Sequence, residues 1–352
     1  MKFKGHKALW IGLSCTLIGG ILAIFVLPYY LATKDWTGVN YTLTGQIGDT
    51  INGIAGPFIA LGAAIITFMA FYIQYQANIQ QNEQINEQNK QIKEQTRQWE
   101  VERFENRFYE LVKIHKENVN EMQIVQEDGK IISGREIFVV MFEELRYGYF
   151  LLKNDYVALK TSEQITNEYD DDKLLNLAYT YFFWGTSLIT LNESFYETVA
   201  KFDTLNNSYF SKLNAVQSKK FKADVKDEIG KVLFTRNYVP FRGHSSRLGH
   251  YYRHLYQTVK FIVSQSDDLL KEKEKDSYLT ILRAQLSNHE QILLYYNAIS
   301  GFGSRWIIER YLTYYGMIHN IPLGQVDMGT PIIVRFKDDI RMQGKKLFEW
   351  QE

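Results

Sequence analysis

Two long stretches without a charged residue stand within the first 75 positions, and nothing else in the chain narrows its folding options as much. Ala8 to Leu31 reads ALWIGLSCTLIGGILAIFVLPYYL, 24 residues, and Ile51 to Tyr75 reads INGIAGPFIALGAAIITFMAFYIQY, 25 residues. About 20 apolar residues cross a hydrocarbon core of roughly 30 Å, so each is long enough to span a bilayer. The glycines and Pro57 of the second are tolerated in membrane helices. Trp10, Tyr29, Tyr30, Tyr72 and Tyr75 fall near the ends, where interfacial aromatics belong. A cleaved signal peptide explains the first segment less well, because its apolar run is too long and it ends in Pro-Tyr-Tyr rather than small residues. Two buried core helices are the other alternative. The reading adopted is a transmembrane hairpin over 1–75, with spans at about 8–31 and 51–75.

Flanking charge orients the hairpin. Lys2, Lys4 and Lys7 precede the first span, whereas the connecting loop holds only Lys34, Asp35 and Asp49. The positive-inside bias places both the N-terminus and everything after Tyr75 in the cytoplasm. A third stretch, Leu174 to Leu191, has 18 uncharged residues but carries Asn176, Thr180, Thr186, Ser187 and Thr190. It is expected to be a buried, aromatic-rich core helix rather than a third crossing.

After the second span, residues 76–103 contain no Gly or Pro and are dense in Gln, Glu and Lys, all good helix formers. Ile85, Ile92 and Trp99 recur at seven, one seam of a heptad with a polar second seam. This predicts a helical stalk, a weak coiled coil that brings copies together or a solvated helix. From Phe104 the pattern becomes amphipathic (Phe104, Phe108, Leu111, His115), and 104–352 reads as one cytoplasmic, mainly α-helical domain. Helices are expected at 173–200, 208–230, 245–266, 275–300 and 304–316, with one short strand at 331–336.

Charge and motifs exclude much. Forty Lys plus Arg balance forty Asp plus Glu, so no global field draws the chain to nucleic acid. One cysteine, Cys15, forms no intrachain disulfide, and it lies in the first span, which removes a cysteine nucleophile. No phosphate loop, GxSxG elbow, HExxH or dinucleotide fingerprint is present, and no cofactor is implied.

Histidine placement is the exception. Three of seven histidines fall within His244–His254. Ser245 or Ser246 is placed to cap a helix whose apolar face is Leu248, Tyr252, Leu255, Val259 and Ile262. Arg247, His250, His254 and Gln257 then share a stripe about 80° wide on another face, with Arg253 in the same segment. Three readings compete. Six residues separate Arg247 from His254, which resembles the Arg-x(4–6)-His pattern of HEPN-type ribonucleases, where Arg stabilises the phosphorane and His moves a proton. His250 and His254 at i, i+4 could ligate a metal, but no third ligand is visible nearby. The third reading is a structural polar stripe, and it is the one expected. Arg283, Glu290 and Asn297 step by seven along the helix expected at 275–300, and Glu290 is a candidate acceptor for Arg247 or a protonated histidine.

The membrane hairpin, the Gln-rich stalk, Phe104-Glu-Asn-Arg-Phe-Tyr-Glu-Leu111, Tyr181-Phe-Phe-Trp-Gly185, Gly249-His-Tyr-Tyr-Arg-His-Leu-Tyr256 and Leu282-Arg-Ala-Gln-Leu-Ser287 together resemble the AbiC-like phage abortive infection proteins. The likeness extends over nearly the whole chain. It implies a bacterial antiphage protein that shuts down the infected cell from the inner membrane, and it carries over no catalytic residue set. The partners expected are the lipid bilayer, further copies of the chain and a phage protein trigger. RNA joins them only under the ribonuclease reading, and a membrane-attached scaffold unrelated to defence is the third alternative.

Overall fold

A 78-residue helix, α1 (Thr44–Glu121), carries the second apolar segment, with Pro57 inside it, and continues without a break through the polar stalk. The structure is a computed structural model that describes residues 11–12, 14–15, 18–26, 29–30, 44–189, 203–218, 223–226, 231–234 and 238–351. The chain divides into two compact units, Met1–Gln98 and Trp99–Glu352.

In the first unit, Phe58, Leu61, Ile66, Phe68, Phe71 and Ile73 are exposed around the helix. Apolar side chains on every face are the pattern of a helix with apolar surroundings, whether protein or lipid. Among the described residues this is the one helix long and apolar enough to cross a membrane, so the two-helix hairpin is not seen. Much of the expected first span, 8–31, lies outside the described residues; the part described includes a π-helical turn at Leu22–Val26. Along the stalk, Ile85, Ile92 and Trp99 are all exposed in the single chain.

The second unit is built from helices around an aromatic core. The last turns of α1 bury Phe104, Phe108, Val112, His115 and Val119, spaced by three and four, on one face. A hairpin of β1 (Gln123–Val125) and β2 (Ile131–Ser133) follows, with Ile124 opposite Ile132. Next comes α2 (Glu136–Thr161), whose buried residues run from Ile137 to Tyr156 and which packs against α3 (Asp171–Ile189), α4 (Asp203–Ser218) and the later helix at Asn288–Ile299. Helix α3 buries Leu174, Leu175, Leu177, Tyr179, Tyr181 and Phe182, so the third uncharged stretch is core, as its composition indicated.

Several expected elements differ. The helix expected at 208–230 is described only to Ser218, and within its expected range β3 (Ala223–Lys226) pairs antiparallel with β4 (Lys231–Phe234), Val225 opposite Val232. Helix α5 spans Ser245–Val263, but His244, not a serine, occupies its N-cap, and no side chain caps it. The helix expected at 275–300 is two: α6 (Glu272–Arg283) and α7 (Asn288–Ile299). The break is a capping box, in which Ser287 Oγ accepts the Glu290 amide at 3.4 Å and Glu290 Oε2 accepts the Ser287 amide at 2.7 Å. The helix expected at 304–316 is only α8 (Ser304–Ile308). The expected strand at 331–336 is the short helix α9 (Ile332–Arg335), which Pro331 starts.

The C-terminal segment is clamped by two aspartates. Asp172 accepts from the Thr330 amide at 2.8 Å and from Arg335 at 2.6 Å, while Asp276 accepts from Arg341 at 3.0 Å and Lys345 at 2.7 Å. Burial alone would lift both carboxyls. The Thr330 and Arg335 hydrogen bonds at Asp172, and the Lys345 hydrogen bond with the Arg341 charge at Asp276, outweigh it and hold both below the usual carboxylate range.

Candidate functional site

Helix α5 is buried on most of its circumference, and the residues singled out in it separate onto two flanks. A seven-residue approach, Tyr238–His244, sets where it begins. Glu144 of α2, fully buried, accepts from the Tyr238 hydroxyl, from the Phe241 amide at 2.8 Å and lies 3.2 Å from His244 Nε2. The same approach is stitched to the kink of α3: Thr186 N donates to Phe241 O at 3.0 Å and His244 N to Phe183 O at 2.9 Å.

One flank faces α1 and α7. Here His115 of α1 is 1% exposed, its ring 5.2 Å from the Tyr251 ring and 6.1 Å from that of His254. Among the described residues, neither ring nitrogen of His115 or of His254 has a hydrogen-bond partner. Glu290, fully buried at the start of α7, accepts from the Tyr251 hydroxyl at 3.1 Å and sits 3.9 Å from His115 Nε2 and 3.8 Å from Arg135 Nε. Burial, followed by the charges of His254, Arg135 and Lys116, depresses the His115 pKa from 6.5 to about 4. Burial, then His250, also lowers His254, and burial beside Glu290 lifts the Tyr251 hydroxyl well above its usual 10. Both imidazoles are therefore neutral near pH 7.

Arg247 does not join them through a side-chain contact. Its Nε donates to the Gln123 carbonyl of β1 at 2.9 Å, so Glu290 takes Tyr251 and Arg135 as neighbours rather than Arg247. Among the described residues no hydrogen bond links Arg247 to His254, and no three His, Cys, Asp or Glu side chains are grouped to hold a metal ion. His250 is exposed. Arg283 is elsewhere, because the capping box ends its helix: it donates to Tyr315 O at 3.2 Å and Thr280 Oγ1 at 2.8 Å.

The other flank lines a cavity of about 560 Å³. Arg253, Gln257 and Asn297, which the sequence grouped only loosely, meet there with Phe183, Tyr252, Tyr256, Phe302, Arg305 and Trp306. Asn297 Nδ2 donates to the Tyr179 hydroxyl at 2.9 Å, Tyr252 to Leu293 O at 3.0 Å and Tyr256 to Glu309 Oε1 at 2.6 Å. Aromatic walls with guanidinium groups at the rim suit a planar or apolar group. The sequence signal for this cavity is the run of aromatics at 181–184, 251–256 and 302–306, of which the first is expected as core and Tyr252 as part of an apolar face. His115 gave less warning, since it took its place in an apolar face.

Residues 243–326 match the family model described as putative phage abortive infection protein. The match is the family that the sequence resembles, and it covers less than a quarter of the 352 residues, with the blocks 104–111 and 181–185 outside it. No curated protein and no solved structure matches the chain.

Proposed function

We propose that this chain is a membrane-anchored antiphage protein of the abortive-infection type, whose helical body acts as a non-enzymatic effector or sensor on the cytoplasmic face of the bacterial inner membrane. The observation that carries the reading is the family match over 243–326, because those residues supply α5 to α8, Glu290 and nearly the whole lining of the aromatic cavity. Anchoring draws on the exposed apolar stretch of α1. The hairpin, with spans at 8–31 and 51–75 and both ends cytoplasmic, rests on the lysines at positions 2, 4 and 7 against the nearly uncharged loop. Association of copies through 76–103 rests on Ile85, Ile92 and Trp99, which are exposed within one chain. A reporter fused after Glu352 should behave as cytoplasmic and one inserted at Gly38 as external, and the detergent-solubilised protein should exceed a monomer by light scattering. An external C-terminus would sink the hairpin, and a monomer at micromolar concentration the stalk association.

The ribonuclease alternative keeps one favourable observation, the neutral and unpartnered ring of His254. Against it, Arg247 is tied to β1, and among the described residues no carboxylate hydrogen-bonds His254. Phage challenge of cells expressing wild type, Arg247→Ala or His254→Ala, with RNA integrity and membrane potential followed together, separates the readings. Expected are protection by wild type, intact RNA, and protection in the variants that falls only as far as protein level falls. Fragmented RNA in wild type, with well-folded but inactive His254→Ala, would move the function to RNA cleavage. No protection by wild type would leave the scaffold.

A further inference from the structure

The aromatic cavity beside α5 holds a buried polar group that the fold leaves half used. Asn297 of α7 is 4% exposed and lines this cavity of about 560 Å³. Neighbouring hydroxyls fix its amide. Tyr252 gives its proton to the Leu293 carbonyl at 3.0 Å, so it can only accept from the adjacent Tyr179 hydroxyl. Tyr179 accepts in turn from Asn297 Nδ2 at 2.9 Å. The amide nitrogen is thereby committed, while among the described residues Oδ1 accepts no hydrogen bond and keeps accessible surface. An acceptor left open on a buried side chain points to a donor that the chain does not supply.

Two glycines keep that acceptor and the space before it clear. Gly303, ahead of α8, has φ −108°, which any residue adopts, yet a Cβ there would stand 2.3 Å from Asn297 Oδ1. Gly249 lies inside α5, where a helix disfavours glycine, and a Cβ on it would meet only the Phe183 ring at 3.9 Å. Neither backbone conformation nor close packing asks for glycine at 249. A longer side chain there would enter the cavity, which Gly249 lines.

The walls are rings, Phe183 with Phe302 at 5.0 Å between centroids and Tyr256 with Trp306 at 5.6 Å. The lining contains no carboxylate. Arg305 lies beside the Tyr256 hydroxyl, which donates to Glu309 at 2.6 Å, so its charge already has an anion nearby. Arg253 is exposed at the rim, and among the described residues its guanidinium makes no ion pair or hydrogen bond. Aromatic walls, a buried open acceptor and a rim cation complement a ligand with a flat ring, an N–H donor on that ring and an anionic tail. We propose that this cavity binds a purine nucleoside monophosphate, with the base stacked on these rings and donating an N–H to Asn297 Oδ1, and the phosphate held by Arg253. Stacking on aromatic side chains accepts any base, and the Asn297 oxygen selects for one that carries an amino group. The arginine fork supplies charge-assisted bonds to the phosphate. This site is independent of the antiphage reading and requires no catalysis.

The test is titration calorimetry and thermal unfolding of the full solubilised chain with AMP, adenosine and ribose 5-phosphate. AMP should bind saturably and raise Tm, and ribose 5-phosphate should do neither. Adenosine should bind roughly tenfold or more weakly than AMP. Arg253→Gln, at an exposed side chain without a partner among the described residues, should remove that advantage and leave adenosine binding unchanged. Gly249→Leu, which fills the space before the rings, should abolish binding of both. No saturable AMP binding to wild type, ribose 5-phosphate bound as tightly as AMP, or AMP affinity unchanged in either folded variant would overturn the site. So would single-stranded RNA that binds in an Arg253-dependent way while AMP does not, which would instead identify a polynucleotide as the ligand.

Discussion

Gly185→Ala should cost the helical unit most of its stability, on the order of 4 kcal/mol or more, and reduce the yield of folded protein accordingly. Gly185 has φ +80° and ψ 164°, a region that side chains other than glycine avoid. A Cβ there would stand 2.4 Å from the Arg242 carbonyl carbon and oxygen and 2.7 Å from the Gly243 nitrogen. Those atoms are backbone and cannot rotate aside. The contact is reciprocal, since a Cβ on Gly243 (φ +90°) would meet the Trp184 carbonyl at 2.5 Å. Separating the two strands of backbone would break the hydrogen bonds from Thr186 N and His244 N and pull the approach to α5 away from Glu144. Gly129→Ala is the control, because it shares a positive φ (+82°) with nothing within 4 Å of its Cβ; it should cost only about 1 kcal/mol. The measurement is thermal or denaturant unfolding of the three solubilised proteins. A Gly185→Ala protein as stable as the control would show that this backbone contact does not hold α5 in place.

That arrangement also shows what was legible beforehand. Spacing alone identified the apolar face of α5, and Leu248, Tyr252, Leu255, Val259 and Ile262 are all buried. Periodicity reports which residues face away from water but not which element they face. So the stripe of Arg247, His254 and Gln257 was visible as a stripe, while its division between β1, α1 and the aromatic cavity depended on partners far along the chain. The Ser287-Asn-His-Glu290 signature is legible as a capping box, but the apolar spacing on either side of it continues in phase and favours one unbroken helix. The strands at 223–226 and 231–234 were hidden by their lysines and aspartate, which favour helix or loop locally and are overridden by cross-strand pairing. Arg253, Gln257 and Asn297 were grouped from two separate segments, and the cavity brings them together for a reason the sequence did not show, the kink of α3 that places Phe183 beside α5.

Mild acid should destabilise the helical unit before Asp172 and Asp276 titrate. His115 is held at about 4 in the folded state against 6.5 when exposed, so between these values the unfolded chain binds the extra proton. Stability therefore rises with pH across that window, is fully present above about 6.5, and is lost as pH falls toward 4. A displacement of this size corresponds to roughly 3 kcal/mol at the low end, a large share of a typical domain's stability. His254 and His289, both lowered by burial, act with the same sign. Asp172 and Asp276 are depressed carboxylates, so their contribution is present above the ordinary carboxylate pKa and is lost as pH falls through it toward their lower folded values, below most of the histidine window. Glu143, raised by burial, acts with the opposite sign. Chemical unfolding in chloride buffers from pH 7.5 to 4 should show a steep decline. His115→Phe, an uncharged ring among the rings of Tyr251 and His254, should flatten it by about the same roughly 3 kcal/mol. Superimposable profiles for wild type and a well-folded His115→Phe would mean that His115 is not held neutral by its surroundings.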